Sequence, residues 1–453
     1  MKKYVLIGLY MFLFLGMKHV YAQDTVYSIN KNDNEVFQFI IDSYNEKEQI
    51  DGNLLVGTFL KEEIEIEDKT YEDDQIMAIK YDDNGNIVWS YRYGKNGKDT
   101  VIDVIYTYDE TGKIDGYAII MPTTYSLEEQ SEARGVTILK ISLDGKFLYE
   151  KSSGIDDQEE FHKISYATEN KVDGYIAVGN KKIDQTKEVA LLVRYDRDFN
   201  ILWTREFPKG DYQSIDYIDV SMIQKDSIAT GYAVLKELTT NDGNKEVSLL
   251  SYNLEGEEET IWNPSLEKYD GYSLALSKNG VLLYGLTEDV KLEKGDASYY
   301  ILNYSDGEEQ WESIGEIPIP KKSKVKVLPI WKEKELSEYL MMVQSSDLSS
   351  TEVIKIDLEG MFLKKIKKIA TEYYDISSFN FRDNTIYMAG QINCPKDDTC
   401  DYDTNSLFLI SDEEKVIEVQ DKASKKILIG ICIVFFLGVL LSFIKNKRKK
   451  LLR

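Results

Sequence analysis

The feature that most constrains this chain is a unit that recurs along most of its length. Each copy has an Asp-Gly-like step, an apolar strand often ending in Gly, a polar loop, a second apolar strand, a tight turn and a third strand. One copy runs through 51–57 and 76–89, and another through 173–179 and 190–203. Self-similarity of this kind predicts a fold built from equivalent β-units.

Weaker copies fill the intervals, which places seven turns near positions 52, 116, 174, 227, 280, 338 and 384. Further β-rich stretches, such as 101–108, 215–222 and 374–381, supply a first strand to each unit. Four short antiparallel strands every ~40–50 residues are typical of a propeller blade. We therefore predict an all-β, seven-bladed β-propeller of four-stranded antiparallel blades over residues 23–420.

Seven glycines and tryptophans recur at equivalent places in these units. Each predicted Trp falls just after a tight turn, where a large ring fills the space between blades, so their expected role is structural. They are Gly57, Gly85, Trp89, Gly179, Trp203, Trp262 and Trp311.

The start of the mature chain offers a strand that joins the two ends of the ring. The segment 25–30 precedes the first unit much as a fourth strand precedes the next blade, so we expect it in the last blade. The stretch 416–419 competes for the same place.

The two ends of the chain predict its location. Residues 1–22 begin with lysines, continue as an apolar run and end on Val20-Tyr21-Ala22, which is typical of a secretory signal peptide. Residues 427–444 contain no charge and no proline, and as a helix they span roughly 27 Å. The basic tail 445–453 follows a short linker, 421–426. This pattern predicts a single-pass membrane protein with an extracellular N-terminal domain, a transmembrane helix and a cytoplasmic tail.

Charge restricts the class of partner. The net charge is −24, and the two ends carry +3 and +6 without an acidic residue, which leaves −33 between them. So acidic a domain is expected to repel nucleic acid. With two His in the chain, one of them in the signal peptide, a multi-His metal site is also disfavoured.

The units at 82–89 and 174–203 resemble the β-propeller repeats of bacterial secreted and surface proteins, which read roughly Gly-Tyr-Ile-x-x-Gly and then Lys-x-Asp-x-x-Gly-Asn-x-x-Trp. This resemblance implies a fold and a cell-surface setting, not an activity. The spacing is also similar to the tryptophan-docking repeat of quinoprotein dehydrogenases. Here Gly85 follows Asp82 by three positions instead of four, and no Thr precedes it, so no quinone cofactor is expected.

Blade geometry divides the connections between two faces of the disc. The short turns, including 51–52, 84–85 and 173–174, are expected on one face. The long loops are expected on the other, which is the default place for binding. These predicted loops are 61–74, 122–134, 181–187, 236–245, 287–297 and 394–405.

Three features of the loops and strands have a chemical interpretation. Two loops are acid-rich and admit Ca²⁺, although neither has the spaced Asp-x-Asp-x-Asp-Gly pattern and a solvated charge run is the preferred interpretation. Cys394 and Cys400 lie in one exported loop, so a local disulfide is predicted, with free thiols as the alternative. His162 beside Glu159 and Glu160 is expected to have no catalytic role.

These observations favour a membrane-tethered cell-surface scaffold that binds a protein or a glycan. The alternative is an extracellular lyase or glycosidase with carboxylates that converge over the central channel. A pair separated by ~5 Å or by ~6.5–9.5 Å would be required, and nothing in the sequence selects one. A third interpretation is a sensor, which would need a membrane partner because the cytoplasmic tail is short.

Overall fold

The computed structural model describes residues 25–27 and 34–412, with gaps at 61–63, 67–68, 72–73, 95–99, 123–134, 154–158, 170, 184–187, 227, 263–268, 288–295, 315–318, 321, 333–334, 370–373 and 393–405. The predicted signal peptide, transmembrane helix and tail lie outside these residues, as does the alternative closing strand 416–419. Within the described ranges, no helix is long and apolar enough to cross a membrane.

Seven antiparallel sheets of four strands follow one another along the chain, and β1 (Thr25–Tyr27) precedes them. Blade 1 contains β2 (Asn34–Tyr44), β3 (Ile50–Leu60), β6 (Asp74–Tyr81) and β7 (Ile87–Tyr93), and β4 (Ile64–Ile66) and β5 (Lys69–Tyr71) form a separate hairpin between β3 and β6. Blade 2 contains β8 (Asp103–Tyr108), β9 (Ile114–Pro122), β10 (Val136–Ser142) and β11 (Phe147–Ser153). Blade 3 contains β12 (Glu159–Glu169), β13 (Lys171–Lys182), β14 (Glu188–Asp196) and β15 (Ile201–Pro208).

The remaining blades repeat this order. Blade 4 contains β16 (Ser214–Lys225), β17 (Ile228–Thr239), β18 (Lys245–Tyr252) and β19 (Glu258–Trp262). Blade 5 contains β20 (Tyr269–Leu276), β21 (Val281–Thr287), β22 (Asp296–Ser305) and β23 (Glu308–Ile314), with β24 (Ile319–Pro320) paired to β22. Blade 6 contains β25 (Lys324–Lys332), β26 (Glu335–Gln344), β27 (Thr351–Ile356) and β28 (Phe362–Ile369). Blade 7 contains β29 (Tyr374–Arg382), β30 (Thr385–Ile392) and β31 (Ser406–Asp412).

The prediction of a seven-bladed propeller is confirmed. Seven clusters of buried apolar side chains are present, and each one joins a different pair of neighbouring blades, including the pair formed by blades 7 and 1. A four-stranded sheet has two faces to bury, and a closed ring covers both of them. The ring is therefore complete.

The N-terminal strand closes the ring, as predicted from the sequence. β1 pairs antiparallel with β31, and Thr25 lies opposite Ile410. Beside this seam, the Arg382 guanidinium of blade 7 donates to Asp42 Oδ1 of blade 1 at 2.6 Å. Asn380 donates to the same oxygen at 2.7 Å. Polar bonds thus reinforce the junction where the chain is not continuous.

Burial along the strands follows their position in the blade. The second strand of blade 2, β9, is buried continuously over six residues, because neighbouring blades cover both of its faces. The fourth strand of blade 1, β7, alternates between exposed and half-buried residues. The first strands consequently lie innermost and the fourth strands form the rim.

Candidate functional site

Four charged side chains from the first strands of four blades converge at the centre of the ring. Lys163 of blade 3 interacts electrostatically with Asp103 of blade 2 and Asp219 of blade 4. Lys326 of blade 6 interacts with Lys163 and Asp103, although its blade is not a neighbour of blades 2 and 3. Electrostatic interaction between blades that are not neighbours requires positions near the axis. We call Asp103, Lys163, Asp219 and Lys326 the axis cluster.

Asp103 connects blades 2 and 3. Its Oδ1 accepts the Val104 amide at 2.9 Å, and its Oδ2 accepts the Ile164 amide of the next blade at 3.4 Å. Lys163 Nζ lies 2.9 Å from the same Oδ2. The buried carboxylate therefore has both backbone and side-chain partners, as burial of a charge requires.

Asp219 makes the same kind of connection between blades 4 and 5. Its Oδ1 accepts the Val220 amide and its Oδ2 accepts the Leu274 amide, both at 2.8 Å. Burial raises the pKa of Asp219 to about 6, even though the charge of Lys163 and the two amides act in the opposite direction. This carboxyl group therefore titrates near neutrality.

The two lysines of the cluster respond differently to the same surroundings. Burial opposes the charge of Lys163, but Asp103 and Asp219 outweigh it and the pKa of Lys163 is raised. Burial lowers the pKa of Lys326 to about 8, and the positive charges of Lys163 and Lys324 add to that effect. Lys326 donates to the carbonyl of Ser377 in blade 7.

The two carboxylates of the axis cluster hold neighbouring blades together through hydrogen bonds. Each carboxylate accepts backbone amides from two neighbouring blades, so its oxygens are engaged by the protein. A glycosidase or lyase pair needs carboxyl oxygens that reach a substrate. Neither Asp103 nor Asp219 is arranged in that way.

Tryptophans at the rim dock on turn glycines of the following blade. The Trp89 indole donates to the Leu143 carbonyl at 3.1 Å and covers Gly145. A Cβ atom on Gly145 would lie 2.4 Å from the Trp89 ring. The same contact recurs at two further junctions, where the hypothetical Cβ atoms of Gly256 and Gly360 would lie 2.5 and 2.3 Å from Trp203 and Trp311.

Two junctions depart from this pattern. Trp262 lies opposite Leu249, two residues further along its strand than the position equivalent to Trp89, and it approaches Gly307 with its Nε1 3.0 Å from a hypothetical Cβ. Between blades 2 and 3, Tyr149 takes the Trp position and Phe199 occupies the turn with φ 58°. At this junction, therefore, the rim aromatic residue and the turn residue of the next blade both differ from the Trp–Gly pair.

The other predicted structural glycines lie close to backbone atoms. A Cβ on Gly57 would lie 2.0 Å from the Val36 carbonyl oxygen, and one on Gly179 would lie 1.9 Å from that of Glu160. Gly85 lies in the turn after β6 with φ 79°, and its amide donates to Asp82 O at 3.0 Å.

The Asp-Gly steps are not turns, and that prediction was wrong. Gly52 lies inside β3, Gly116 inside β9 and Gly174 inside β13, each beside a bulge in the pairing with the first strand. The actual first turn of blade 1 spans 45–49, where Asn45 Oδ1 accepts two amides. The glycines at these bulges instead lie against backbone carbonyl groups of the third strand.

The aspartates of these steps form partly buried ion pairs that sequence reasoning missed. The three pairs are Asp51 with Lys80 at 2.8 Å, Asp115 with Lys140 at 2.8 Å and Asp173 with Arg194 at 2.6 Å. Each cation belongs to the third strand of its blade and is nearly inaccessible. The available signal was a single cation inside an otherwise apolar strand.

His162 lies at the bulge of β12 between Phe161 and Lys163. Its side chain is half-buried, and its Nε2 is enclosed without a hydrogen-bond partner among the described residues. No described carboxylate bonds to the ring, so the structure shows no acid–base arrangement there. Cys394 and Cys400 lie outside the described residues.

Acidic residues of the described short turns cap their own backbone. The Asn86 side chain donates to Asp82 Oδ2 and the amides of Asn84 and Asn86 donate to Oδ1, and these bonds lower the pKa of Asp82. Asp196 and Asp357 accept amides in the same way. Over the described ranges, His, Cys, Asp and Glu form no group of three suited to a metal ion. The acid-rich segments 62–63, 67–68, 72–73 and 397–403 lie outside those ranges.

The two faces of the disc differ in the length of their connections. Turns after the first and third strands span one to five residues, so one face has short turns as predicted, although of the three turns named only 84–85 is among them. Connections from second to third strands span five to 13 residues on the opposite, long-loop face. The predicted loop 236–245 is shorter than expected, because β17 continues to Thr239 and a bonded turn, 240–244, follows it.

Comparison with known proteins gives similarity of structure only. No family model and no curated protein matches the chain. Similar solved structures include polysaccharide lyase Uly1, with 9% identity, 88% of this chain and 94% of that chain covered, and a TM-score of 0.48. The β-propeller domain of the Trilobed protease from Pyrococcus furiosus has 13% identity, coverages of 85% and 99%, and a TM-score of 0.43. The Neurospora crassa Pan2 WD40 domain has 9% identity, coverages of 83% and 89%, and a TM-score of 0.42. No function is transferred from these proteins.

Proposed function

We propose that the protein is a membrane-tethered cell-surface scaffold whose long-loop face binds a protein or a glycan. The asymmetry between the two faces carries this proposal. Every connection of more than five residues within a blade leaves from the long-loop face, where rigid strands hold its ends. Loops on a rigid frame can diverge in sequence without loss of the fold, which suits recognition.

The arrangement at the axis supports binding over catalysis. The carboxylates of Asp103 and Asp219 accept hydrogen bonds from the next blade, and these bonds hold neighbouring blades together. The enzymatic alternative, a lyase or a glycosidase, requires a pair of carboxyl groups free to reach a substrate. A scaffold requires only that the ring stay closed.

The tether is proposed from the sequence. A signal peptide at 1–22 and an uncharged segment at 427–444 followed by a basic tail would export residues 23–420 and hold them at the cell membrane. Protease treatment of intact cells tests this. Loss of the propeller signal with retention of the tail would support the tether, and full protection of the propeller would refute it.

Loop replacement tests the binding face. The full chain is displayed on cells, and surface partners are captured by cross-linking. In the first variant a two-residue Asn-Gly turn replaces 240–244, and in the second it replaces 345–350. The control carries the same replacement at 45–49 on the short-turn face. Loss of partner yield in a long-loop variant but not in the control supports the proposal, whereas equal yields in all variants refute it.

A further inference from the structure

A polar cavity of about 320 Å³ opens on the short-turn face at the junction of blades 4 and 5. It is separate from the long-loop face and does not depend on the proposed function. Its lining consists of Lys225, Asp226, Asn279, Asn303, Ser305, Asp306 and Gln310. These residues come from the first strand of blade 4 and its turn, and from the turns and third strand of blade 5.

The repeat shows what normally fills this position. Asn303 lies opposite Leu282 and Trp311 in its sheet, as Lys80 lies opposite Leu54 and Trp89 in blade 1. Blades 2 and 3 carry Lys140 and Arg194 at the same place. Blade 6 carries Lys355 at this place, so blade 5 has a short amide where four other blades have a long cation.

In blades 1–3 the cation binds a repeated set of acceptors. Lys80 Nζ donates to Asp51 Oδ2 at 2.8 Å and to the Tyr44 carbonyl at 3.1 Å. Arg194 donates to Asp173 Oδ1 at 2.6 Å and to the Ala167 carbonyl at 3.2 Å. The fold at this position thus provides a carboxylate together with a carbonyl from the first strand.

Blade 5 keeps an unfilled acceptor at this position. Asn303 is only 8% exposed, it lines the cavity, and its Oδ1 has no hydrogen-bond partner among the described residues. A buried acceptor without a donor destabilises the fold, and a bound N–H group would remove that cost. Asn279 stands in the position of Asp51, and its Oδ1 accepts the Asp226 amide at 3.1 Å.

The charge of the lining favours a cation. Asp226 and Asp306 contribute two carboxylates against the single Lys225, whose Nζ lies 3.2 Å from Asp306 Oδ2. Lys225 and Asp306 are largely exposed, so their pairing is weak and leaves the cavity accessible. The cavity is therefore acidic, open and supplied with acceptors.

We propose that this cavity binds a small organic cation with N–H donors, an alkylammonium or a guanidinium group, in the place that Lys or Arg fills in blades 1, 2 and 3. The group is supplied either by a free amine or by a Lys or Arg side chain of a partner protein. In both cases Asn303 Oδ1 accepts an N–H from the ligand, and Asp226 and Asp306 balance its charge.

Calorimetry on the purified full chain tests this proposal with methylguanidinium chloride as the probe. Saturable binding is expected with a Kd on the order of millimolar. Tetramethylammonium chloride at equal ionic strength is the control, because it carries the same charge but no N–H donor. The peptide acetyl-Gly-Arg-Gly-amide, measured in parallel, reports whether a side chain within a protein can enter.

Two variants locate the binding. N303K combined with N279D rebuilds the internal ion pair of blades 1–3, and N303L removes the acceptor. Each is expected to melt as one cooperative unit and to weaken methylguanidinium binding at least ~10-fold. Tighter binding of the peptide than of methylguanidinium would identify a partner side chain as the source, and the reverse order a free amine. Absence of binding, equal binding of tetramethylammonium, or unchanged binding in both folded variants would overturn the proposal.

Discussion

Blades 1–3 and blades 4–5 solve the same packing problem with different side chains. In the first group a buried Lys or Arg of the third strand pairs with an Asp of the second strand. In blade 4 the corresponding residues are Ser251 and Thr230, and each bonds to a carbonyl within its own sheet. Blade 5 has Asn303 and Asn279 instead.

The glycine that follows the Asp position is common to both groups. Hypothetical Cβ atoms on Gly116 and Gly231 would lie 2.2 and 2.1 Å from the carbonyl oxygens of Ile141 and Tyr252. The close approach of two backbones is therefore retained where the ion pair is not. This difference teaches that backbone geometry holds the repeat together, while the buried charges are one of several ways to fill the space.

The largest expected effect comes from a Cβ atom at this glycine. Both G116A and G231A place a methyl group against a backbone oxygen that has little room to move, so each is expected to cost roughly 3–5 kcal/mol of unfolding free energy. Chemical denaturation of the two variants measures the cost. G243A is the comparison for backbone strain without a clash: nothing lies within 4 Å of its Cβ, but φ is +85°, so a loss of only about 1 kcal/mol is expected. A large loss in G116A but a small one in G231A would mean that the ion pair, not the glycine, sets the geometry.

The next effect tests the ion pair itself. K140M removes the cation beside Asp115, which is 32% exposed and still accepts from Thr107, so the expected cost is about 2–3 kcal/mol, below that of a fully buried charge. The double variant D115N/K140M is expected to recover most of this loss, because no charge is then left unpaired. Both are measured by denaturation. A double variant no more stable than K140M would show that the pair contributes more than the removal of an uncompensated charge.

In the axis cluster, burial shifts the pKa values of two charged groups, and these shifts make the stability of the protein depend on pH. The pKa of Asp219 is raised from 3.8 to about 6, so the folded state holds a proton that the unfolded state has lost. Its stabilising contribution is complete below pH 4 and is lost as the pH rises through 6. The pKa of Lys326 is lowered from 10.5 to about 8, so its contribution rises between pH 8 and 10.5.

Stability is therefore expected to include a minimum between about pH 6 and 8, with each group contributing ~2–3 kcal/mol to the slopes beside it. Melting curves of the parent and of D219N across pH 4–7 should differ in slope, and K326M should remove the rise above pH 8. Parallel curves for the parent and both variants would contradict the burial of these charges at the axis.

The number of blades and the closing strand could be predicted because the sequence pattern that indicates each of them lies within a short stretch of chain. The period of the apolar strands gives the blades, and β1 resembles a fourth strand that lacks its own third strand. Asp51-Gly52 misled because Asp-Gly is a strong hairpin signal, whereas Asn45 caps the real turn. The residues on either side of Asp51-Gly52 did not indicate whether the turn lies at 45–49 or at 51–52.

The candidate sites could not be predicted because their residues are distant along the chain. Asp103, Lys163 and Asp219 come from three successive blades and Lys326 from blade 6, so no short spacing joins them. The cavity of blade 5 is visible only when Asn303 is placed in register with Lys80. Knowledge of the strand pairing, which sequence reasoning placed incorrectly, was needed for both.

The smallest expected effect comes from an ion pair on the surface of the same blades. Lys113 Nζ lies 4.0 Å from Glu48 Oε2, and both side chains are well exposed. Solvent screens this pair, so K113M is expected to change the unfolding free energy by less than ~0.5 kcal/mol. The comparison with K140M, measured in one denaturation series, reports the combined effect of burial and of the shorter distance. Should K113M cost as much as K140M, exposure would not be what distinguishes the two pairs, and the contrast between blades 1–3 and blades 4–5 would need a different physical basis.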